Sequence, residues 1–319
     1  GKTLLSRLES VKVNRVNSVP KRMMIEMKKV IAVVGLGLIG GSLAAALKGF
    51  EDYEIVGVVR RQETLDYAVA HGVCDRATTD PASVLGEADV TFLCTSPSVI
   101  VSYMKEYKDT FKPGSLVTDV CGIKTAVMKA SQVLPPEVDF IGCHPMAGTE
   151  FSGIENSFPE LFQRCHFILT PRETSTQEHQ DLMHRIADYI GAADVVTTTP
   201  ERHDEIIAYT SQLMHIIALS VCDDAELFRC KGFEGGSFRD CTRVAALDVP
   251  LWRELMTLNA DALTKVIVRL EENIHAYRVA LEHHDVERMT AKLEYSSNRK
   301  RRMNLPGPGQ VSLDPDLFS

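Results

Sequence analysis

The feature that most restricts the fold is a glycine-punctuated turn, Gly35-Leu36-Gly37-Leu38-Ile39-Gly40. It lies between the apolar run Val30–Val34 and a helical pattern over Leu38–Lys48. Gly35 permits the tight turn. Gly37 removes a side chain where the backbone must come close to a phosphate, and Gly40 lets the helix pack closely on the strand. The first N–H groups of that helix then face an anion with the positive end of the helix dipole behind them. A lone glycine loop is a weak signal, but here the strand, the helix and a second strand follow at the proper distances. In that context Gly35, Leu36, Gly37, Leu38, Ile39 and Gly40 are expected to hold a dinucleotide.

The rest of the first two-thirds repeats the same alternation. Val30–Val34, Glu54–Val59, Val90–Thr95, Leu116–Asp119 and Phe140–Cys143 are short, rich in Val and Ile, and apolar on both faces. Strands of that kind belong in a parallel sheet covered by helices. Helical patterns occupy Glu63–His71, Val99–Lys108 and Thr125–Ser131. Later strands over His166–Thr170 and Val195–Thr198 flank a helix over Thr176–Ile190. The fold class expected is α/β, an N-terminal Rossmann-type parallel-sheet domain over residues 29–199. An all-α domain over residues 200–304 follows. Residues 1–28 read as a polar, basic extension without catalytic work, and 305–319 as an irregular tail.

After Pro200, Ile206, Ile207, Leu213, Met214, Ile217 and Val221 recur at helical spacing. A second pattern runs without Gly or Pro from Leu251 through Leu255, Leu258, Ala262, Val266, Leu270 and Ile274 to Tyr277. A helix so long and apolar needs more partners than one small domain supplies. Burial against a second copy, a homodimer through the C-terminal helices, is the expected resolution.

Composition narrows the class. A chain of 319 residues with 45% hydrophobic and 24% charged residues is an ordinary globular protein, and its net charge of −8 repels nucleic acid. None of the eight cysteines forms a C-x-x-C pair, so neither zinc nor another metal nor a disulfide framework is expected. Buried thiols in a reducing cytoplasm are the plain reading. The run from Lys28 to Leu47 mimics a signal peptide, but it starts late and carries Gly35, Gly37, Gly40 and Gly41, so no membrane partner is expected.

The second strand ends Val58-Val59-Arg60-Arg61, with no acid before Glu63. An acid there would mark NAD by holding the ribose 2′-hydroxyl. Arg60 and Arg61 suit a 2′-phosphate, which favours NADP over NAD.

His144-Pro145-Met146-Ala147-Gly148-Thr149-Glu150 follows a strand directly, where ligands of open α/β sheets bind. With this motif the chain resembles the prephenate/arogenate dehydrogenase family across residues 29–303. The resemblance rests also on Val33 to Ser42 and on Thr118-Asp119-Val120-Cys121-Gly122-Ile123-Lys124. Ser211-Gln212-Leu213-Met214-His215, Gly235 to Ala245 and Trp252 complete it. It implies that His144 is the catalytic histidine contacting the substrate C4 hydroxyl and that Arg243 holds a substrate carboxylate. It also places His215, Glu150, Gln212 and Lys124 around the substrate, and Thr95, Ser96 and Pro97 beside the cofactor. The implied reaction is oxidative decarboxylation of prephenate to 4-hydroxyphenylpyruvate in tyrosine biosynthesis. Arogenate, or both substrates, is the alternative.

Two positions depart from the family pattern. Gly122 stands where many members carry a serine whose hydroxyl orients the histidine, so water, a backbone group or another side chain must replace it. Gln212 stands where some relatives have a second histidine. Two other readings compete. A β-hydroxyacid dehydrogenase or imine reductase would use a helical lysine and other glycine signatures. A catalytically silent NADP(H) sensor would need the glycine loop but not His144, His215 and Arg243 together.

Overall fold

The structure, a computed structural model, describes residues 28–149 and 151–304. The basic extension up to residue 27, Glu150 and the tail from 305 lie outside the described residues. The chain begins with strand β1 (Val30–Val34), helix α1 (Leu38–Leu47), β2 (Glu54–Val58), α2 (Gln62–Ala70), β3 (Arg76–Thr78) and a short α3 (Ala82–Leu85). It continues through β4 (Val90–Leu93), α4 (Pro97–Tyr107), β5 (Leu116–Asp119), α5 (Thr125–Ala130) and β6 (Asp139–Pro145). β7 (His166–Pro171), α6 (Gln177–Tyr189) and β8 (Asp194–Thr197) close the sheet.

The strands form one sheet in the order β3-β2-β1-β4-β5-β6-β7-β8. The order reverses between β1 and β4, and a doubly wound sheet binds its ligand at such a switch point. Strand residues point alternately to the two faces. In β1, Ile31 and Val33 join one core, and Val30, Ala32 and Val34 join the other. Both faces are covered, which is why these strands read as continuous apolar runs. Phe92, Phe140, Phe162 and Phe167 are fully buried; each contributes roughly 1.5–3 kcal/mol by leaving water.

The sheet is not parallel throughout. β6 and β7 pair antiparallel, with His144 opposite Ile168, and β8 runs parallel to β7. Among the described residues, the segment between β6 and β7 holds only short 3-10 turns. Without a crossover helix the chain must re-enter the sheet from the end at which it left. The sequence reading also passed over β3 and α3, which are too short to show a period.

From Pro200 onward only helices occur among the described residues. They are α7 (Pro200–Ile207), α8 (Leu213–Cys222), α9 (Gly236–Thr242), α10 (Val249–Leu258), α11 (Ala260–Glu282) and α12 (Val286–Met303). A π-helical turn, Ala208–Gln212, joins α7 to α8. The continuous stretch Pro200–Cys222 is long and apolar enough to cross a membrane by length and composition. Within it His203, Asp204 and Gln212 are buried and hydrogen-bonded inside the protein.

The pattern expected as one helix from Leu251 to Tyr277 is two. Asn259 (φ −112°, ψ 24°) breaks it. The Asn259 amide donates to the Asp204 carbonyl at 2.9 Å and to Gln212 Oε1 at 2.8 Å. Those buried bonds hold the backbone out of helical conformation, as asparagine does when its side chain finds better partners elsewhere.

Candidate active site

The crevice opens at the carboxyl ends of β1, β4, β5 and β6. Gly35 has φ +89°, and a Cβ on it would lie 2.7 Å from the Cys94 carbonyl oxygen. A Cβ on Gly40 would come within 1.8 Å of the Gly35 carbonyl oxygen. Both positions therefore exclude a side chain for reasons internal to the fold. Gly37 differs: a Cβ there would meet nothing within 4 Å. It caps α1 without a side-chain hydrogen bond, so the leading N–H groups of that helix stand ready for an anion. A dinucleotide pyrophosphate fits this cradle.

A cavity of about 850 Å³ adjoins the cradle, with Gly35, Leu36, Gly37, Arg60, Arg61 and Thr95 in its wall. Arg60 and Arg61 are exposed at its rim, and Glu63 shares the same wall. Of the other residues expected at the cofactor, Leu38, Gly40 and Pro97 are buried in packing. Ile39 packs against the core beneath α1, and Ser96 takes the N-cap position of α4.

His144 sits near the end of β6, part-buried. Its Nδ1 lies 2.9 Å from Nε2 of His203 on α7, and His203 Nδ1 lies 2.7 Å from Asp204 Oδ1. Asp204 also accepts from the backbone N–H groups of Lys124 and Thr125, each at 2.8 Å, so it caps α5. Burial, with His203 and Lys124 nearby, holds the His144 imidazole well below the ordinary histidine value of 6.5. Burial also lowers His203, against the opposing pull of Asp204. Burial alone would raise Asp204, but hydrogen bonds from His203, Thr125 and Lys124 bring it below the usual carboxylate range. Near neutral pH the site thus holds two neutral imidazoles and one carboxylate.

Gly122 faces the other side of the His144 ring. A Cβ there would stand 3.8 Å from His144 Nε2 and 3.8 Å from Leu255 of α10. Of the two ring nitrogens, Nδ1 is the one that His203 engages, and Nε2 is on the Gly122 side.

Lys124 and Gln212, both expected around the substrate, are placed behind the crevice. The Lys124 ammonium is fully buried, paired with Asp119 and donating to the Cys143 carbonyl at 2.7 Å. Asp119 in turn accepts from the Cys121 N–H at 2.9 Å. Gln212 donates to the Leu255 carbonyl at 3.1 Å and accepts from Asn259. Their polar atoms are committed to joining β5, β6, α7 and α10, and this buttress fixes the floor under His144.

His215, on α8, stacks on Trp252 of α10 and points Nδ1 at the Ser211 carbonyl, 3.0 Å away. Burial lowers its proton affinity against that hydrogen bond, and Arg243 lowers it further. Arg243 acts on His215 electrostatically from the 3-10 turn Arg243–Ala245 after α9, where Arg243 itself is exposed. Helix α10 joins the two halves of the site. Trp252 meets His215, Leu255 reaches Gly122 one turn later, and Glu254 binds the Ser98 hydroxyl at the start of α4 at 3.1 Å.

Comparison with known proteins gives this arrangement a context. Residues 43–196 match the family model described as the prephenate dehydrogenase nucleotide-binding domain, and residues 199–295 match the prephenate dehydrogenase dimerization domain. The cyclohexadienyl dehydrogenase of Zymomonas mobilis is 31% identical over 287 residues, covering 87% of this chain and 96% of that protein. The chain belongs to the prephenate/arogenate dehydrogenase family. Among solved members, A. aeolicus prephenate dehydrogenase in complex with hydroxyphenyl propionate and NAD+ superposes with a TM-score of 0.78. It is 28% identical and covers 88% of this chain and 100% of its own. Synechocystis arogenate dehydrogenase superposes with a TM-score of 0.74 at 28% identity, covering 86% and 99%. Prephenate/arogenate dehydrogenases are oxidoreductases of tyrosine biosynthesis, and this chain is one of that family.

The sequence reading of this dehydrogenase missed His203, Asp204 and Asn259. The signal was present in the first two, an imidazole and a carboxylate side by side on the buried flank of a helix, but spacing alone did not aim them at a histidine 59 residues away.

Proposed function

We propose that the protein is an NADP-preferring prephenate dehydrogenase working as a homodimer. The observation that carries this reading is His144 at the end of β6, with its Nδ1 engaged by His203 and its Nε2 turned toward Gly122. Such a histidine can accept a proton from a hydroxyl at the crevice.

The bound nicotinamide would supply the hydride acceptor, and the protein supplies the rest. The glycine cradle and α1 hold the pyrophosphate, and Arg60 and Arg61 meet the 2′-phosphate. Arg243 grips a substrate carboxylate through two parallel hydrogen bonds and sets the ring against the crevice. His144 Nε2 takes the C4 hydroxyl proton as C4 is oxidised. The C1 carboxylate then leaves as carbon dioxide, and aromatisation makes the step irreversible. Leu255 and Trp252 shield the site from bulk water.

The dimer reading rests on apolar side chains left on the surface of the helical domain. Ile274 and Leu281 on α11 and Leu293 and Tyr295 on α12 are more than half exposed. A single α11–α12 layer cannot cover them, whereas a second copy can.

Initial rates with prephenate and with arogenate, each with NADP and with NAD, test the proposal. The expected result is the highest kcat/KM with prephenate and NADP. Preference for arogenate would overturn the substrate assignment, and preference for NAD the cofactor assignment.

A further inference from the structure

The chain His144–His203–Asp204 has a directional logic. Asp204 is an ionised carboxylate that also accepts from the Lys124 and Thr125 amides, so it can only accept. The contact at 2.7 Å therefore requires a proton on His203 Nδ1. A neutral imidazole carries one N–H, which leaves His203 Nε2 with a lone pair. The contact at 2.9 Å to His144 then requires the proton of His144 to sit on Nδ1. His144 Nε2 is left bare on the side facing Gly122.

We propose that His203 and Asp204 are positioning residues that lock His144 in the Nδ1–H tautomer, the form in which Nε2 can act as the base. This rests on the reading of His144 as the proton acceptor and goes beyond it. An isolated histidine in water favours the other tautomer, with Nε2 protonated and unable to accept. When His144 takes up the hydroxyl proton at Nε2, its Nδ1–H stays hydrogen-bonded to His203, and the new positive charge looks down a chain that ends on a carboxylate. The arrangement stabilises the imidazolium without any group leaving its place. Three elements hold it rigid. His144 is fixed in β6, His203 and Asp204 share α7, and Asp204 is pinned to the start of α5. A dehydrogenase site with glycine at position 122 thereby orients its histidine from behind rather than from the substrate side.

The test uses the full-length protein with 15N in its histidine rings, bound to cofactor. Nitrogen chemical shifts report the tautomer directly, whatever the substrate is. In the wild type His144 should show a protonated Nδ1 and a bare Nε2. His203→Gln keeps an acceptor for His144 and a donor for Asp204, so the tautomer should persist. His203→Leu removes both, and His144 should shift toward the Nε2–H form. In steady-state kinetics with prephenate, His203→Leu should lower kcat by about 10²-fold or more, with KM changed little. His203→Gln should recover most of that loss. A wild-type His144 protonated on Nε2 overturns the proposal, as does a Leu variant with unchanged tautomer and kcat. If His203→Leu does not fold, the wild-type and Gln spectra decide alone. If no prephenate turnover is found while the tautomer is as stated, the substrate assignment fails and the lock stands.

Discussion

Trp252 lies over His215 with ring centroids 3.6 Å apart and planes 30° from parallel. His215 Nδ1 is engaged by the Ser211 carbonyl, so Nε2 is the nitrogen left to meet a ligand. The Arg243 guanidinium acts electrostatically on His215 and favours its neutral form. Burial and Arg243 both keep His215 uncharged.

Arg243→Lys retains the charge but loses the planar fork. Charged hydrogen bonds are worth about 1.5–3 kcal/mol, so KM for the substrate should rise on the order of 10- to 100-fold, with the thermal midpoint unchanged. Steady-state kinetics alongside a melting curve separates the two. An unaltered KM would move the carboxylate contact elsewhere, with Arg239 as the next residue to test.

His144→Asn should lower kcat by about 10²- to 10⁴-fold while cofactor affinity stays near that of the wild type. In the wild type, the imidazole stays neutral well below pH 6.5. The activity should therefore hold level as pH falls through 6.5 and decline only at lower pH, where the base becomes protonated. In the asparagine variant that low-pH decline should vanish. A wild-type profile that already falls at pH 6.5 would contradict the burial argument.

Stability should follow the same histidines. The folded pKa values of His144 and His203 are depressed, while the unfolded chain titrates near the ordinary value of 6.5. Below that value the unfolded state binds more protons, so stability is lost as pH drops from 6.5 toward 5. The buried His203 alone can contribute up to about 1.4 kcal/mol per pH unit in that window. Denaturant titrations at pH 7 and pH 5.5 measure the loss, and His203→Gln should make it smaller.

Replacing Arg60 and Arg61 together by alanine should weaken NADP binding on the order of 10- to 100-fold and leave NAD binding nearly unchanged. Equilibrium titration with each cofactor checks this. Equal losses for both cofactors would mean that the arginines meet the shared pyrophosphate or adenine instead.

Ile274→Asp combined with Leu281→Asp should convert a homodimer to monomer, because two desolvated carboxylates cannot be matched across an apolar contact. Light scattering at micromolar concentration gives the mass directly. A wild type already monomeric there would refute the interface.

The parts of the fold that were legible in the sequence are those set by local rules. β1, β5 and the glycine turn were located to the residue, because buried parallel strands and a strand–turn–helix loop each leave a dense local signature. The reversal at β7 was not legible, since direction depends on whether a crossover helix fills the gap and not on the strand itself. Nor was the break at Asn259, which comes from partners on Asp204 and Gln212 rather than from a Gly or Pro. The site divides in the same way. His144 and Arg243 stood out by motif, whereas His203 and Asp204 matter only through a contact made after folding. Lys124 and Gln212 looked like pocket residues because polar side chains after a strand or within a motif usually are. Their burial is a property of the packed joint between sheet and helices.

The π-helical turn at Ala208–Gln212 has a bearing on how that joint tolerates change. A π turn accommodates one residue more than an α-helix would at the same place. Upstream of it stand His203 and Asp204, committed to β6 and α5; downstream stands His215, committed to Trp252. Winding the same residues as a regular α-helix would swing everything beyond the turn by about 100° around the axis. His215 would then face away from Arg243, while the upstream pair stayed where it is. The surplus residue acts as a phase adjuster that lets one run of chain serve two rings on different bearings, so it is the winding of this turn that sets where His215 faces.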